Sequence, residues 1–186
     1  MHGSQHEDQL FGDDRSNLLD GFAGDDVLEG REGEDTIAAG GGSDTVFARG
    51  DGDELDGGGL TTNRSDRDLL SYRNAANGVT AHLSFSNTSE AENDDFIQGA
   101  RLSGDSPETS FRYSNLEDLE GSSEVDDLRG DFGDNRIDGN GGGDFIDGAE
   151  GNDTIAGDEG ADSLNGGEGR DWVDYSGSDA GVTVSL

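Results

Sequence analysis

Neither cysteine nor lysine occurs among the 186 residues, and proline occurs once, at Pro107. Without cysteine there can be no disulfide framework and no thiolate metal site. Without lysine, all eleven basic residues are arginine, and against 44 acidic ones they leave a formal charge of -33. Nucleic acid and anionic membrane surfaces are therefore disfavoured partners. Apolar residues are scarce too, at 28%, where ordinary domains hold about 45–50%. No apolar run approaches the roughly 18 residues needed to cross a bilayer. The start, Met1-His2-Gly3-Ser4, lacks the charged and apolar regions of a secretory signal. A chain so acidic and so poor in apolar residues does not collapse unaided, so a cationic component is missing from the sequence.

Glycine and aspartate are abundant, and they fall in register. The pattern G-x-x-G-x-D-x-U-x, with U apolar, recurs in steps of nine from Gly3, Gly12, Gly21, Gly30, Ala39 and Ala48, and again from Gly121, Gly130, Gly139, Gly148, Gly157 and Gly166. The sixth position is Asp8, Asn17, Asp26, Asp35, Asp44 and Asp53, then Asp126, Asn135, Asp144, Asp153, Asp162 and Asp171. The eighth is always apolar: Leu10, Leu19, Leu28, Ile37, Val46 and Leu55, then Leu128, Ile137, Ile146, Ile155, Leu164 and Val173. A period near nine with glycine-rich turns predicts a solenoid in which each unit is one turn and one short strand. Two units then make a coil, and the eighth-position side chains form a thin core between two parallel sheets.

A larger repeat lies over the small one. Arg67-Asp68-Leu69-Leu70-Ser71-Tyr72 to Leu83 aligns without a gap on Arg170-Asp171-Trp172-Val173-Asp174-Tyr175 to Leu186. The chain divides into a first array (1–59), an interrupted unit with capping strands and connector (60–120), a second array (121–174) and the start of a second cap (175–186). The ending inside the second copy is expected of a fragment of a longer protein. In the connector, Val79 to Phe85 alternates and predicts a half-buried strand, and Asp95-Phe96-Ile97 belongs to an irregular β cap. A helical turn is expected near Leu116–Leu119. Whether the two arrays form one solenoid is open from the sequence.

Units n and n+2 lie on the same side, so their sixth-position carboxylates stack and repel. A hard cation between successive turns reverses that sign. Calcium accepts six to eight oxygens and takes backbone carbonyls as readily as carboxylates, while glycines at the second and fourth positions let the turn aim carbonyls inward.

The nonapeptide resembles that of the RTX family, whose G-G-x-G-x-D-x-U-x repeats bind calcium. The resemblance implies an all-β fold, a parallel β-roll of calcium-binding nonapeptide repeats in two arrays joined by an irregular β connector. It implies bacterial type I secretion, an extracellular setting, and folding on meeting calcium outside the cell. Carried over by position, the carboxylate ligands are Asp26, Asp35, Asp44, Asp53, Asp144, Asp153, Asp162 and Asp171. Carbonyl ligands are implied at Gly24, Gly33, Gly42, Gly133, Gly142, Gly151, Gly160 and Gly169, and at the second-position Gly40 and Gly167. Weaker ligands are expected at Asp8, Asn17, Asp68, Asp126 and Asn135, since His6, Arg15 and Glu124 replace fourth-position glycines in the opening units of the arrays. About eight ions are implied, which would halve the charge to about -17.

Other chemistries fit less well. Asp51 to Gly57 begins like an EF-hand loop, but Leu55 sits at a ligand position and Thr62 where the closing Glu belongs. No helix or lysine follows the glycine runs to make a phosphate cradle. His2, His6 and His82 form no catalytic or metal set. Tyr72, Trp172 and Tyr175 are expected to pack the ends of the arrays against their connectors. No catalytic constellation is visible, so enzyme activity would lie in the rest of the parent polypeptide. The leading reading is a calcium-binding module that supports secretion and stability of a larger extracellular protein. The alternative is an adhesive surface for polysaccharide or ice.

Overall fold

The computed structural model describes residues 1–48, 53–58, 66–83, 101–102, 112–114 and 116–186. The fourth-position Asp51, the interrupting loop from Leu60 to Ser65, Ser84-Phe85, Asp95-Phe96-Ile97 and Pro107 lie outside the described residues. Among the described residues every regular element is a β-strand, most of them three residues long, so no helix is long and apolar enough to cross a membrane. Each strand of the two arrays, apart from the short turn strands Glu150–Gly151 and Glu168–Gly169, is the x-U-x part of one nonapeptide, with U pointing inward as the two-residue period of a strand requires. The eighth-position side chains from Leu10 to Leu164 are accordingly buried in one core, and Val173 packs partly against it.

On one face, eight parallel strands form a single sheet in the order Gln9–Phe11, Val27–Glu29, Thr45–Phe47, Leu69–Ser71, Asp118–Glu120, Arg136–Asp138, Thr154–Ala156 and Trp172–Asp174. It runs through both arrays. Leu69, Leu70 and Ser71 pair with Asp118, Leu119 and Glu120, as regular a register as any within an array. Leu69–Ser71 is thus followed directly in the sheet by Asp118–Glu120, and on this face the two arrays are one solenoid.

The opposite face is divided at the same level. Leu18–Asp20, Thr36–Ala38, Glu54–Asp56 and Arg112–Ser114 make a four-stranded sheet. Arg101–Leu102, Val79–His82, Asp127–Arg129, Phe145–Asp147, Ser163–Asn165 and Thr183–Ser185 make a six-stranded one, antiparallel only at its first pair. The segment between the arrays contributes Arg112–Ser114 to the first of these sheets and Val79–His82 with Arg101–Leu102 to the second, and the division falls between Arg112–Ser114 and Arg101–Leu102.

Two expectations are corrected. Leu116–Leu119 holds no helical turn: Asp118–Glu120 is a central strand of the larger sheet, and Leu116 and Leu119 are buried in the core. A strand with partners on both sides satisfies its backbone groups more fully than one isolated turn would. The aromatic residues also behave unequally. Tyr72 is fully buried, its N–H donating 2.8 Å to the Glu120 carbonyl, whereas Trp172 and Tyr175 are 70% and 61% exposed. The difference follows from position: Asp118–Glu120 stacks on the strand that leads into Tyr72, while Trp172–Asp174 is the last strand of its sheet.

Leu119 sits between Leu70 and Ile137 in the stacked row. Leu119→Ala removes its buried methyls with no neighbour free to close the gap, and should cost about 2–5 kcal/mol. Denaturant unfolding in excess calcium measures it; a loss below about 1 kcal/mol would mean that the row is loosely packed there.

Candidate metal centre

The stacking that pairs the strands also stacks the residue before each strand. Along the continuous sheet these are Asp8, Asp26, Asp44, Asp68, Glu117, Asn135, Asp153 and Asp171; along the divided face they are Asn17, Asp35 and Asp53, then Asp126, Asp144 and Asp162. Each aspartate turns one oxygen, Oδ1, toward the turn before it in the stack. Asp26 Oδ1 accepts the Asp8 N–H at 2.7 Å, Asp44 that of Asp26 at 2.7 Å, and Asp68 that of Asp44 at 2.9 Å. Across the fold Asp144 accepts from Asp126 at 2.9 Å and Asp162 from Asp144 at 3.0 Å. Asp35, Asp53, Asp153 and Asp171 repeat the bond with Asn17, Asp35, Asn135 and Asp153.

The second oxygen divides the turns into two kinds. In the turns opening at Gly3 and Gly121, the second residue closes over its own sixth-position side chain. Ser4 donates its N–H to Asp8 Oδ2 at 2.6 Å and Ser122 to Asp126 Oδ2 at 2.7 Å. The Asp13 and Asp131 N–H groups reach Asn17 and Asn135 Oδ1 at 3.3 and 2.8 Å. These are closed turns. In the other array turns whose second residue is described, that residue is left-handed: Phe22, Arg31, Asn140, Ala149 and Asp158 have φ between 56° and 77°, and Gly40 and Gly167 lie at 116° and 97°. There the N–H turns away from the carboxylate. Asp26, Asp35, Asp44, Asp144, Asp153 and Asp162 each keep a buried Oδ2 with no hydrogen-bond partner.

A first-position glycine serves both kinds of turn: a Cβ on Gly121 would meet Asp126 Oδ2 in a closed turn, and Ala39 stands at that position in the open turn of Asp44. A fourth-position glycine of positive φ, by contrast, marks the open turns. A Cβ on the first-position Gly139 or Gly148 would overlap the Oδ2 of its own Asp144 or Asp153. At the fourth position, Gly42, Gly142, Gly151, Gly160 and Gly169 all have φ between 123° and 145°, a region closed to side chains. A Cβ on any of them would run into the fourth-position carbonyl two units earlier, for instance Gly151 into that of Gly133. The fourth-position glycines thus stack closely, each against the fourth-position carbonyl two units earlier.

The repeat itself decides what this arrangement is. A model of the RTX calcium-binding nonapeptide repeat matches in four copies, over residues 2–37, 29–59, 120–155 and 148–179. The chain belongs to the RTX calcium-binding repeat family. No curated protein matches it. As an RTX repeat array it is a calcium-binding module, and the donors fit that ion: the open turns present carboxylate and carbonyl oxygens, the ligands a hard divalent cation takes. Among the described residues no three His, Cys, Asp or Glu side chains gather into one cluster, as an RTX turn built largely of backbone carbonyls requires.

The RTX carboxylates expected as ligands are all on these rows. Asp26, Asp35, Asp44, Asp53, Asp144, Asp153 and Asp162 are buried, while Asp171 ends its row half-buried. Of the weaker set, Asp8, Asn17, Asp126 and Asn135 all sit in closed turns, and Asp68 lies in the row next to Asp44. Gly133 lies in a closed turn, its N–H donating 2.6 Å to Asp131 Oδ1. Sequence reasoning missed Glu117, which takes the sixth position of a unit with no glycine. Counting nine residues back from Asp126 and Leu128 finds Glu117 and Leu119.

Burial without a counter-charge raises the carboxyls. Desolvation, reinforced by repulsion from stacked neighbours, pushes Asp44 and Asp153 up to about 6, Asp144 to about 7 and Asp68 to about 8. Asp26 and Asp35 are raised for the same first reason. A carboxyl lifted above its ordinary 3.8 binds protons in the fold that it does not bind unfolded, so the calcium-free fold is least stable above about pH 8 and gains stability as pH falls toward 4. Circular dichroism in calcium-free buffer should therefore show more β structure at pH 5 than at pH 8, and the calcium midpoint should rise as pH falls. The same β content at both values would mean that these carboxylates do not govern the fold.

Proposed function

We propose that this chain is a calcium-triggered folding module of a larger secreted bacterial protein. The carrying observation is the set of six buried carboxylate oxygens that no group among the described residues satisfies, all of them in open turns. A buried charge without a partner costs several kcal/mol, so the fold is unfavourable until a cation arrives. Calcium supplies that positive charge when bound. Asp26, Asp35, Asp44, Asp53, Asp144, Asp153, Asp162 and Asp171 would hold it, with the fourth-position carbonyls and those of Gly40 and Gly167 completing the oxygen sets. About eight ions are proposed. The closed turns hold their sixth-position side chains with their own N–H groups and would bind weakly or not at all.

Family membership supports the rest of the reading. Type I secretion machinery would carry the chain out unfolded, and extracellular calcium would fold it together with the remainder of its parent polypeptide. The absence of lysine and the charge of -33 suit a chain that stays extended until that point.

Calcium titration followed by far-UV circular dichroism and Trp172 fluorescence tests the reading, with magnesium as control. A cooperative coil-to-β transition is expected with calcium only; equal folding in chelator would overturn it. The two kinds of turn make a sharper comparison. Asp144→Asn should raise the calcium midpoint severalfold, while Asp8→Asn, in a closed turn where the amide oxygen can keep the Ser4 N–H, should leave it nearly unchanged. Equal shifts would mean that turn conformation does not select the sites.

A further inference from the structure

We infer that the seam between the arrays, residues 66–83 with 116–138, is a calcium-independent coupler that makes the two arrays fold as one unit. The inference rests on the calcium-driven folding reading and adds where cooperativity is carried.

Asp68, whose Oδ1 accepts the Asp44 N–H at 2.9 Å as in the arrays, is where the first array ends; beyond it the seam replaces the chemistry of the open turns. On the continuous sheet, Glu117 and Asn135 replace two stacked aspartates. The longer Glu117 side chain reaches the Asp68 N–H, 2.9 Å from its Oε2. Asn135 Oδ1 is held by the Asp131 N–H, and its Nδ2 donates to the Glu117 carbonyl at 2.8 Å. That bond displaces a regular one. Elsewhere the seventh-position N–H donates to the sixth-position carbonyl of the strand before it, as Thr154 does to Asn135 and Ser163 to Asp144. Here the Arg136 N–H turns instead to Asp118 Oδ1, at 2.7 Å. On the divided face, Asp126 accepts from the Val79 and Ser122 N–H groups and the Ser122 hydroxyl, at 2.7–2.9 Å. Neither Glu117, Asn135 nor Asp126 has a buried side-chain oxygen left without a partner.

The seam also brings its own cations. Arg67 grips Asp118 through two nitrogens, Nε lying 3.1 Å from Oδ2. Arg73 pairs with Glu120, whose second oxygen accepts the Ser71 hydroxyl at 2.6 Å. The two carboxylates are 12% and 8% exposed, where hydrogen-bonded pairs count for more than on an open surface. Asp118 therefore ties three successive strands: Arg67 leads into the one before it, and the Arg136 N–H starts the one after. Tyr72, Val79, Ala81, Leu83, Leu116 and Leu119 supply a local core. Arginine does at the seam what calcium does in the arrays.

Hydrogen exchange with mass spectrometry, on the full chain across a calcium titration, tests this. In chelator, seam peptides should exchange roughly tenfold more slowly than array peptides; seam peptides exchanging at the unprotected rate would overturn the proposal. As calcium rises, peptides from 9–47 and 139–174 should gain protection at one midpoint, and separate midpoints in the unaltered chain would count against coupling. In Arg67→Gln/Arg73→Gln, both arrays should still reach full protection at saturating calcium, but at midpoints at least threefold apart. One shared midpoint in that variant would also overturn the inference. If no array peptide responds to calcium, the folding reading itself fails, while the chelator comparison still reports on the seam.

Discussion

A carboxylate has two oxygens, and the stack of this solenoid satisfies only one of them. The N–H of the turn before it fixes Oδ1 at 2.7–3.0 Å, and that bond sets the registry of one coil on the next. Because it repeats every 18 residues, the turns superpose and their strands pair without offset. The same bond holds Oδ2 inside, away from water. Registry and charge burden are thus one interaction seen from its two oxygens, and the dependence on calcium follows from the geometry that makes the coils stack.

The chain handles that burden in three ways. Closed turns fold a backbone N–H over the second oxygen. Open turns leave it bare. The seam substitutes Glu117 and Asn135 for aspartate and brings arginines to the outer carboxylates. The first and third spend sequence on internal partners, and the second leaves the partner to solution. Among the described residues the second kind is the commonest, so the stability of the molecule as a whole is set by its surroundings, while its N-terminal end and its middle are less exposed to them.

Much of this was readable from spacing alone. The eighth-position row gave the core, and the sixth-position row gave the buried carboxylates, because a strict period of nine converts sequence position directly into place in the stack. Asp118–Glu120 was harder to see. Its unit, Arg112 to Glu120, has no glycine and carries glutamate at the sixth position, so only the step of nine marks it. The closed turns were partly readable: they fall on Asp8, Asn17, Asp126 and Asn135, three of whose units carry His6, Arg15 or Glu124 where the open turns have a fourth-position glycine. The second position gave no such sign, since Asp131 and Asp158 both occupy it and only Asp158 is left-handed. The interruption of the first array made one solenoid or two equally consistent with the sequence, and only strand pairing across Leu69–Ser71 and Asp118–Glu120 joins them.

That pairing makes the two faces mechanically unequal. One sheet runs unbroken through eight strands, while the other is split between Arg112–Ser114 and Arg101–Leu102. Among the described residues, flexing that opens the split face there separates no ladder, whereas flexing the opposite way must pull Leu69–Ser71 from Asp118–Glu120 across bonded backbone. The described strands therefore give the solenoid a preferred direction of bending, and among them it is the intact sheet that carries a load along the axis past the seam.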